Sequence, residues 1–232
     1  MIFVFLLWVV VPLFGQSRVE AAHEATAPPV PVHFAVDEYG GLVTYLASDG
    51  SYTVRSLADG EVLDEGDPME PRPGVWSVTT EGDGVACGFP EGFIRAGTFG
   101  YVTSFPEPAS LPDEIRELQP GERRPFEGGL IEATNEGGFR HQRFRLSLGE
   151  PMEVPGGAEI DRLDHVADGE GGSFGAWTRD GRLIVLEQVE NTDFLTGETR
   201  VSLEEYDLGY RLEKGRTPPD HLRMAGGGGT LF

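Results

Sequence analysis

Residues 41–63 read GLVTYLASDGSYTVRSLADGEVL, and this stretch decides the fold class. Two segments with strand-type composition, 41–47 and 51–57, flank the pair Asp49-Gly50. Aspartate and glycine tolerate the positive φ angles that tight hairpin turns require. A second Asp-Gly pair at 59–60 returns the chain into a third such segment. Three strands and two tight turns in so few residues predict an antiparallel meander.

The same unit of strand, tight turn and strand recurs along the chain. Segment 175–178 leads through Asp180-Gly181 into 182–187, and 201–206 follows a turn at Thr196-Gly197. Further strands are predicted at 75–79, 85–89, 93–96 and 139–148. Glycine (33 residues) and proline (17) are abundant, as expected for short strands joined by turns. The sequence therefore predicts an all-β fold.

Repeated meanders of this kind are typical of β-propeller blades. At about 40–50 residues per blade, residues 31–232 hold about four or five blades. The repeat is degenerate and has no recurring Trp-Asp pair, so a β-sandwich is the alternative fold. We predict a partial β-propeller of WD40-like antiparallel meanders over residues 33–232, and expect it to be incomplete.

The net charge of −21 excludes several partners. Nucleic acid is recognised through clustered lysine and arginine, and anionic lipid surfaces attract the same cations. The sequence therefore predicts no nucleic-acid partner and a solvated acidic surface.

The N-terminal residues 2–14, IFVFLLWVVVPLF, carry no charge. As a helix they rise about 20 Å, less than the roughly 30 Å of bilayer hydrocarbon. A signal peptide is one interpretation, but no lysine or arginine precedes the apolar run. We favour the end of a transmembrane helix over residues 1–15, followed by a polar linker over 16–32. A buried core strand is the third alternative.

Two local features have structural interpretations. Cys87, the only cysteine, lies in the apolar run 85–89 and is predicted to be a buried small side chain. A short helix is predicted after Pro112, because Asp113 and Glu114 suit its positive end and Ile115 and Leu118 share one face. We expect it to be a surface turn between blades.

The segment Gly171-Gly172-Ser173-Phe174-Gly175 matches the G-x-S-x-G motif of serine hydrolases. In those enzymes the serine lies on a sharp turn between a strand and a helix. Here the following residues are strand-like, so the motif indicates a glycine-rich loop before a strand. We predict no catalytic residue, and no cofactor-binding residue.

Asp161, Asp164, His165 and Asp168 lie close together in sequence. Their spacing matches neither a calcium loop nor a zinc motif, so we interpret them as a solvated turn and predict no metal site. The histidines are scattered, at positions 23, 33, 141, 165 and 221. Glycines 226–229 precede no Lys-Ser/Thr pair and form no phosphate loop.

A series of segments, in order, resembles a known family. They are Leu6 to Phe14, Val36-Asp37-Glu38-Tyr39-Gly40, Leu118-Gln119-Pro120-Gly121-Glu122, Leu163-Asp164-His165, Asp180-Gly181-Arg182-Leu183 and Phe194-Leu195-Thr196-Gly197-Glu198. The series resembles the phosphate ABC transporter permease, in its variant with a large propeller-like periplasmic domain inserted after the first transmembrane helix.

The resemblance implies the N-terminal part of a permease subunit of an ATP-driven phosphate importer. Implied partners are a second permease subunit, an ATP-binding subunit and a phosphate-binding protein. The body of the chain is then expected on the periplasmic side of the bacterial inner membrane, held by residues 2–14. No transport or substrate-binding residue carries over, because the family's translocation path is formed by later helices.

Two alternatives to this function are kept open. The first is a stand-alone, membrane-anchored propeller scaffold that binds another envelope protein. The second is a hydrolase that uses Ser173.

Overall fold

A computed structural model describes residues 31–67, 74–78, 83–168, 171–192, 194, 196–197, 199–213 and 222–224. Its strands pair antiparallel throughout, which confirms the all-β prediction. The predicted helix at 1–15 and most of the predicted linker at 16–32 lie outside the described residues. Within those residues, no helix has the length and apolar character needed to cross a bilayer.

The first sheet is the meander that residues 41–63 predicted, with one extra strand before it. Its order is β1-β2-β3-β4, and its strands are β1 (His33–Val36), β2 (Leu42–Leu46), β3 (Tyr52–Ser56) and β4 (Val62–Gly66). Each Asp-Gly turn forms as predicted. At the first turn, Asp49 Oδ1 accepts hydrogen bonds from the Ser51 amide (3.0 Å) and hydroxyl (2.7 Å), and Gly50 has φ +90°.

The second sheet has seven strands, a four-stranded unit and three strands of a large insertion. The strands of the unit are β5 (Val75–Val78), β6 (Gly84–Phe89), the first half of β7 (Phe93–Ser104) and the short β11 (Met152–Glu153). The insertion extends β7 into a hairpin with β10 (Phe139–Leu148) and adds β9 (Gly129–Ala133) and β8 (Arg123–Phe126). The short helix α1 (Asp113–Arg116) and a 3₁₀ turn at Pro108–Ser110 lie in the same insertion.

The helix is therefore found at the predicted position, but the expectation that it is a surface turn between blades is wrong. The helix lies inside the insertion rather than between blades. Leu111, Ile115 and Leu118 are buried against Ile131 and Phe139, because the insertion has its own apolar cluster.

The third sheet is a second simple meander. After a 3₁₀ turn at Pro155–Gly157, its order is β12-β13-β14-β15, with β12 (Ile160–Asp168), β13 (Gly171–Thr178), β14 (Arg182–Thr192) and β15 (Thr199–Arg211). The turn predicted at Asp180-Gly181 joins β13 to β14. Strand β12 contradicts the solvated turn predicted for Asp161 to Asp168. The buried positions of β12 include the polar residues Asp164 and His165, so apolar alternation is missing, yet β12 pairs with β13 through eight registered residues.

The three sheets stack face to face, with the second in the middle. One cluster joins the first sheet to the second (Leu42, Leu46, Val54, Val85, Phe99, Leu130 and Phe144). Another joins the second to the third (Ala86, Ile94, Met152, Val154, Ile160, Leu163, Phe174, Ala176, Ile184, Leu186 and Leu203). Successive residues of β6 are buried, because Val85 belongs to one cluster and Ala86 to the other.

Strand β6 also shows why a small residue is needed where two sheets meet. A Cβ atom on Gly88 would lie 2.7 Å from the Ile160 side chain of the third sheet. Cys87 on the same strand is fully buried, as predicted, and burial raises the pKa of its thiol. Close packing on both faces of β6 therefore fixes the spacing of the sheets.

Candidate functional site

The first strands of the three sheets converge on one cleft of about 330 Å³. Its walls come from Val32 and His33 beside β1, from 75–78 of β5, from 162–164 of β12, and from 222–223 near the end of the chain. Residues from all three sheets meet only through the stacking of the sheets, so the cleft is a product of tertiary structure. Two of the residues that line it, Ser77 and Asp164, are buried polar side chains.

Ser77 and Asp164 are the centre of that cluster. The Ser77 hydroxyl donates to Asp164 Oδ1 (2.9 Å), and the Met224 amide donates to Asp164 Oδ2 (2.7 Å). The Arg223 guanidinium lies 3.6 Å from Asp164 Oδ1. Both Ser77 and Asp164 are buried, and they belong to different sheets. The carboxylate therefore ties the second sheet, the third sheet and the segment 222–224 together.

His165 completes the cluster from the neighbouring position on β12. Its Nδ1 lies 3.1 Å from the Ser77 hydroxyl, and its ring stacks on Phe174 at a centroid distance of 6.2 Å. Because the hydroxyl proton points to the carboxylate, Nδ1 carries the proton and donates to Ser77 Oγ. Nε2 is buried without a hydrogen-bond partner among the described residues. The imidazole is thus held neutral, in a single tautomer.

Burial lowers the pKa of His165 to about 4, although the nearby Asp164 carboxylate partly opposes this shift. In the unfolded chain the same imidazole titrates near 6.5. Between these two values the unfolded state binds more protons than the folded state, so stability falls as the pH is lowered through this window.

We therefore expect acidification from pH 7 to pH 5 to cost about 2 kcal/mol of unfolding free energy through His165. Denaturant unfolding of the wild-type chain and of His165→Asn at both pH values measures this. Asparagine keeps a donor toward Ser77 and does not titrate, so the pH-dependent loss should be smaller in the variant by that amount. Equal losses in the two proteins would contradict the assignment.

The presence of serine, histidine and aspartate does not make this cluster a catalytic triad. In a triad the histidine accepts the serine proton and the aspartate orients the histidine. Here the carboxylate contacts the serine, the histidine donates to it, and all three side chains are buried. The arrangement suits a hydrogen-bonded link between sheets, since the imidazole donates to Ser77 Oγ and the hydroxyl proton is held by the Asp164 carboxylate.

The cleft also brings together two arginines and a histidine in a strongly acidic chain. Arg162 lies on its wall and is held by the carbonyl oxygen and carboxylate of Asp161. His33 packs edge-on against Phe99 at 5.3 Å, and burial lowers its pKa. Arg223 is largely exposed.

A second groove, of about 560 Å³, lies between Asp64 of the first sheet and Arg143 and Arg145 of the insertion.

The structure separates the other residues considered in the sequence. Ser173 lies within β13, paired with Val166 and Glu187, so the strand begins at Gly171 and no strand-to-helix elbow follows it. Asp161 is partly exposed, whereas Asp164 and His165 are buried. His141 bonds the Phe126 carbonyl oxygen in the insertion. His23, His221 and glycines 226–229 lie outside the described residues.

Among the residues that the structure describes, no three histidine, cysteine or acidic side chains form a group able to hold a metal ion. Sequence reasoning missed Ser77, because a lone serine in a short strand carries no signal. It also missed Asp37, whose buried carboxylate accepts hydrogen bonds from the amides of Tyr39 (3.0 Å), Gly41 (2.6 Å) and Leu42 (2.5 Å). The turn-type segment Val36 to Gly40 was its only indication.

Comparison with known proteins gives no family. No protein-family model matches the chain, and no curated protein matches it. The WD40 domain of SCAP from fission yeast is similar at 11% identity and a TM-score of 0.33, over 75% of this chain and 32% of that chain. The fission yeast SREBP-SCAP binding domains are similar at 11% identity and a TM-score of 0.22, over 80% and 56%.

The chain thus spans about a third of the first of these solved chains and just over half of the second. Such low TM-scores carry no argument about function. The all-β class rests on the observed strands themselves.

Proposed function

We propose that this chain is a non-catalytic binding domain made of β-propeller blades. The supporting observation is the stack of three antiparallel sheets, two of four strands and one of seven, whose first strands line one common cleft. Propellers place four-stranded sheets radially around a central channel in the same way. Three blades are fewer than the typical 4–8 of a closed propeller, so the proposed domain is an open part of a ring.

The non-catalytic part of the proposal is supported by the chemistry of the cleft. Ser77, Asp164 and His165 use their hydrogen-bonding groups on one another and on the backbone of Met224. The Ser77 hydroxyl and the Asp164 carboxylate bond each other across two sheets, and His165 Nδ1 donates to the serine instead of accepting its proton. Ser173, the other serine considered, is in the middle of a paired strand.

We further propose that the domain is the periplasmic part of a phosphate-importer permease subunit, with residues 2–14 in the inner membrane. This role is supported by the ordered series of sequence segments that resembles the large-loop permease variant. The acidic surface repels a dianion at long range, which favours a protein over phosphate as the direct ligand.

The test is affinity purification of the full chain from native membranes in mild detergent. We expect the second permease subunit, the ATP-binding subunit and the phosphate-binding protein to copurify. A matched preparation carries Phe174→Ala, which removes a core side chain. This control tests whether copurification depends on a well-packed domain. Recovery of the wild-type chain without any of the three subunits would overturn the importer role.

The second candidate is a stand-alone anchored scaffold that binds another envelope protein. It is favoured by exposed apolar side chains on the end sheets, among them Phe34 and Tyr210, because such surfaces mark protein interfaces. In the same purification this candidate predicts a single envelope protein in fixed ratio and no importer subunit.

A further inference from the structure

The two end sheets each leave one apolar face uncovered. The inner faces of the first and third sheets pack on the second sheet, whereas the buried clusters of the described residues include no contact of their outer faces with another sheet. Strand pairing assigns Phe34 and Tyr45 to the outer face of the first sheet, and Val185 and Tyr206 to that of the third. Both faces lie at opposite ends of the same stack, so neither can cover the other within one copy.

The head face is the outer face of the first sheet, defined by Phe34, Val36, Tyr45, Arg55 and Val62. Phe34 is 62% exposed, Val36 is 50% exposed and Val62 is 42% exposed. Arg55 lies among them and donates only to the Gly60 carbonyl oxygen, with its Nε buried and unpaired among the described residues. The head face therefore carries exposed apolar side chains around a guanidinium that has no carboxylate partner in the described part of the chain. The register also places Thr53 and the exposed Glu65 on this face, beside Arg55.

The tail face is the outer face of the third sheet, defined by Glu187, Glu204, Tyr206, Leu208 and Tyr210. Along β15, Tyr206 is 47% exposed, Leu208 is 50% exposed and Tyr210 is 57% exposed. Glu187 and Glu204 are directly opposite each other in the ladder between β14 and β15. Together they raise the pKa of the Tyr206 hydroxyl, with Glu187 as the larger cause.

Like charges directly opposite each other on a sheet are destabilising, and here the Tyr206 hydroxyl donates a hydrogen bond to Glu204 (3.3 Å). Among the described residues neither Glu187 nor Glu204 forms an ion pair with a cation. The head face has the matching feature, a cation among apolar side chains. Charge and apolar pattern are thus complementary between the two ends of one chain, which is the requirement for a heterologous contact between identical copies.

We propose that the head face of one copy docks on the tail face of a second copy. Arg55 then lies over Glu187 and Glu204, and the exposed side chains of β1 pack against those of β15. The described residues of two copies contribute six sheets, a number within the typical 4–8 of closed propellers. This inference rests on the proposed blade architecture, but not on the proposed importer role.

Site-directed crosslinking of the full chain in mild detergent tests the contact. The native Cys87 is fully buried, so the crosslinker is expected to react only with the cysteine that each variant adds. The Phe34→Cys chain and the Tyr206→Cys chain carry tags of different size, so that a mixed dimer is recognised by its mass. The two chains are mixed and treated with a short bis-maleimide. We expect a mixed dimer that contains one chain of each kind, and at least tenfold less dimer when either variant is treated alone.

The control is Phe105→Cys, because Phe105 is 71% exposed and lies on neither face. Adding Glu187→Arg and Glu204→Arg to the Tyr206→Cys chain should reduce the mixed dimer at least tenfold. A dimer of Phe34→Cys chains alone would show head-to-head contact and overturn the proposal. Mixed crosslinking no greater than with Phe105→Cys would also overturn it. Loss of importer subunits from the affinity purification, with the mixed dimer retained, would contradict only the importer role.

Discussion

Truncation of Phe174 to alanine is expected to lower the unfolding free energy by about 3–5 kcal/mol, the range for phenylalanine in a packed core. Phe174 is fully buried on β13, in the cluster that joins the second and third sheets. Its ring also stacks on His165, so its removal leaves a cavity beside the buried polar cluster. The loss is measured by denaturant unfolding of the full chain, followed by tryptophan fluorescence.

Phe194→Ala is the matched control, because the same atoms are removed from a side chain that is fully exposed between β14 and β15. We expect a change within about 0.5 kcal/mol, as is usual for surface substitutions. Similar losses in the two variants would contradict the assignment of the core to the interface between these sheets.

The second large effect is expected from Asp164→Ala, at about 2–4 kcal/mol. The substitution leaves the Ser77 hydroxyl and the Met224 amide without an acceptor in a buried site, and an unsatisfied buried group costs about 1–3 kcal/mol. The loss should be accompanied by faster exchange of the Met224 amide, because Asp164 is its acceptor. Hydrogen exchange and denaturant unfolding measure the two effects.

Asp161→Ala is the control on the same strand. Asp161 is partly exposed and pairs with Arg162, and such surface pairs contribute about 0–1 kcal/mol. A double-mutant cycle between Ser77 and Asp164 then isolates their contact. Additive losses in that cycle would show that the two side chains do not act as one link between sheets.

The strands could be predicted from the sequence wherever apolar alternation and an Asp-Gly turn occurred together. The meander at 41–63 and the hairpin around Asp180-Gly181 are the clearest cases. Strand β12 was missed because its buried residues include Asp164 and His165. A strand whose buried positions are polar has no apolar pattern to detect, and its partner Ser77 lies 87 residues away in the chain.

The insertion in the second sheet was missed for a different reason. Strands β7 and β10 were each predicted in part or in full, but their pairing brings together residues that are 37 (His141 and Ser104) to 51 (Leu148 and Gly97) positions apart. Local turn chemistry specifies neighbouring strands only, so it could not show that β8, β9 and α1 extend an existing sheet. The same limit explains why α1 was expected between blades.

The sequence by itself determined the antiparallel class, the positions of the tight turns and the burial of Cys87. Each of these follows from interactions within a few residues: alternation of side chains along a strand, the φ angles open to glycine, and the hydrogen bonds of an aspartate to the amides that follow it. Only the tertiary structure decided which sheets stack, where the first strands converge, and that Asp164 is a buried link rather than a solvated carboxylate. Those features depend on contacts between sheets, and such contacts form only when residues distant in the chain bury a shared surface.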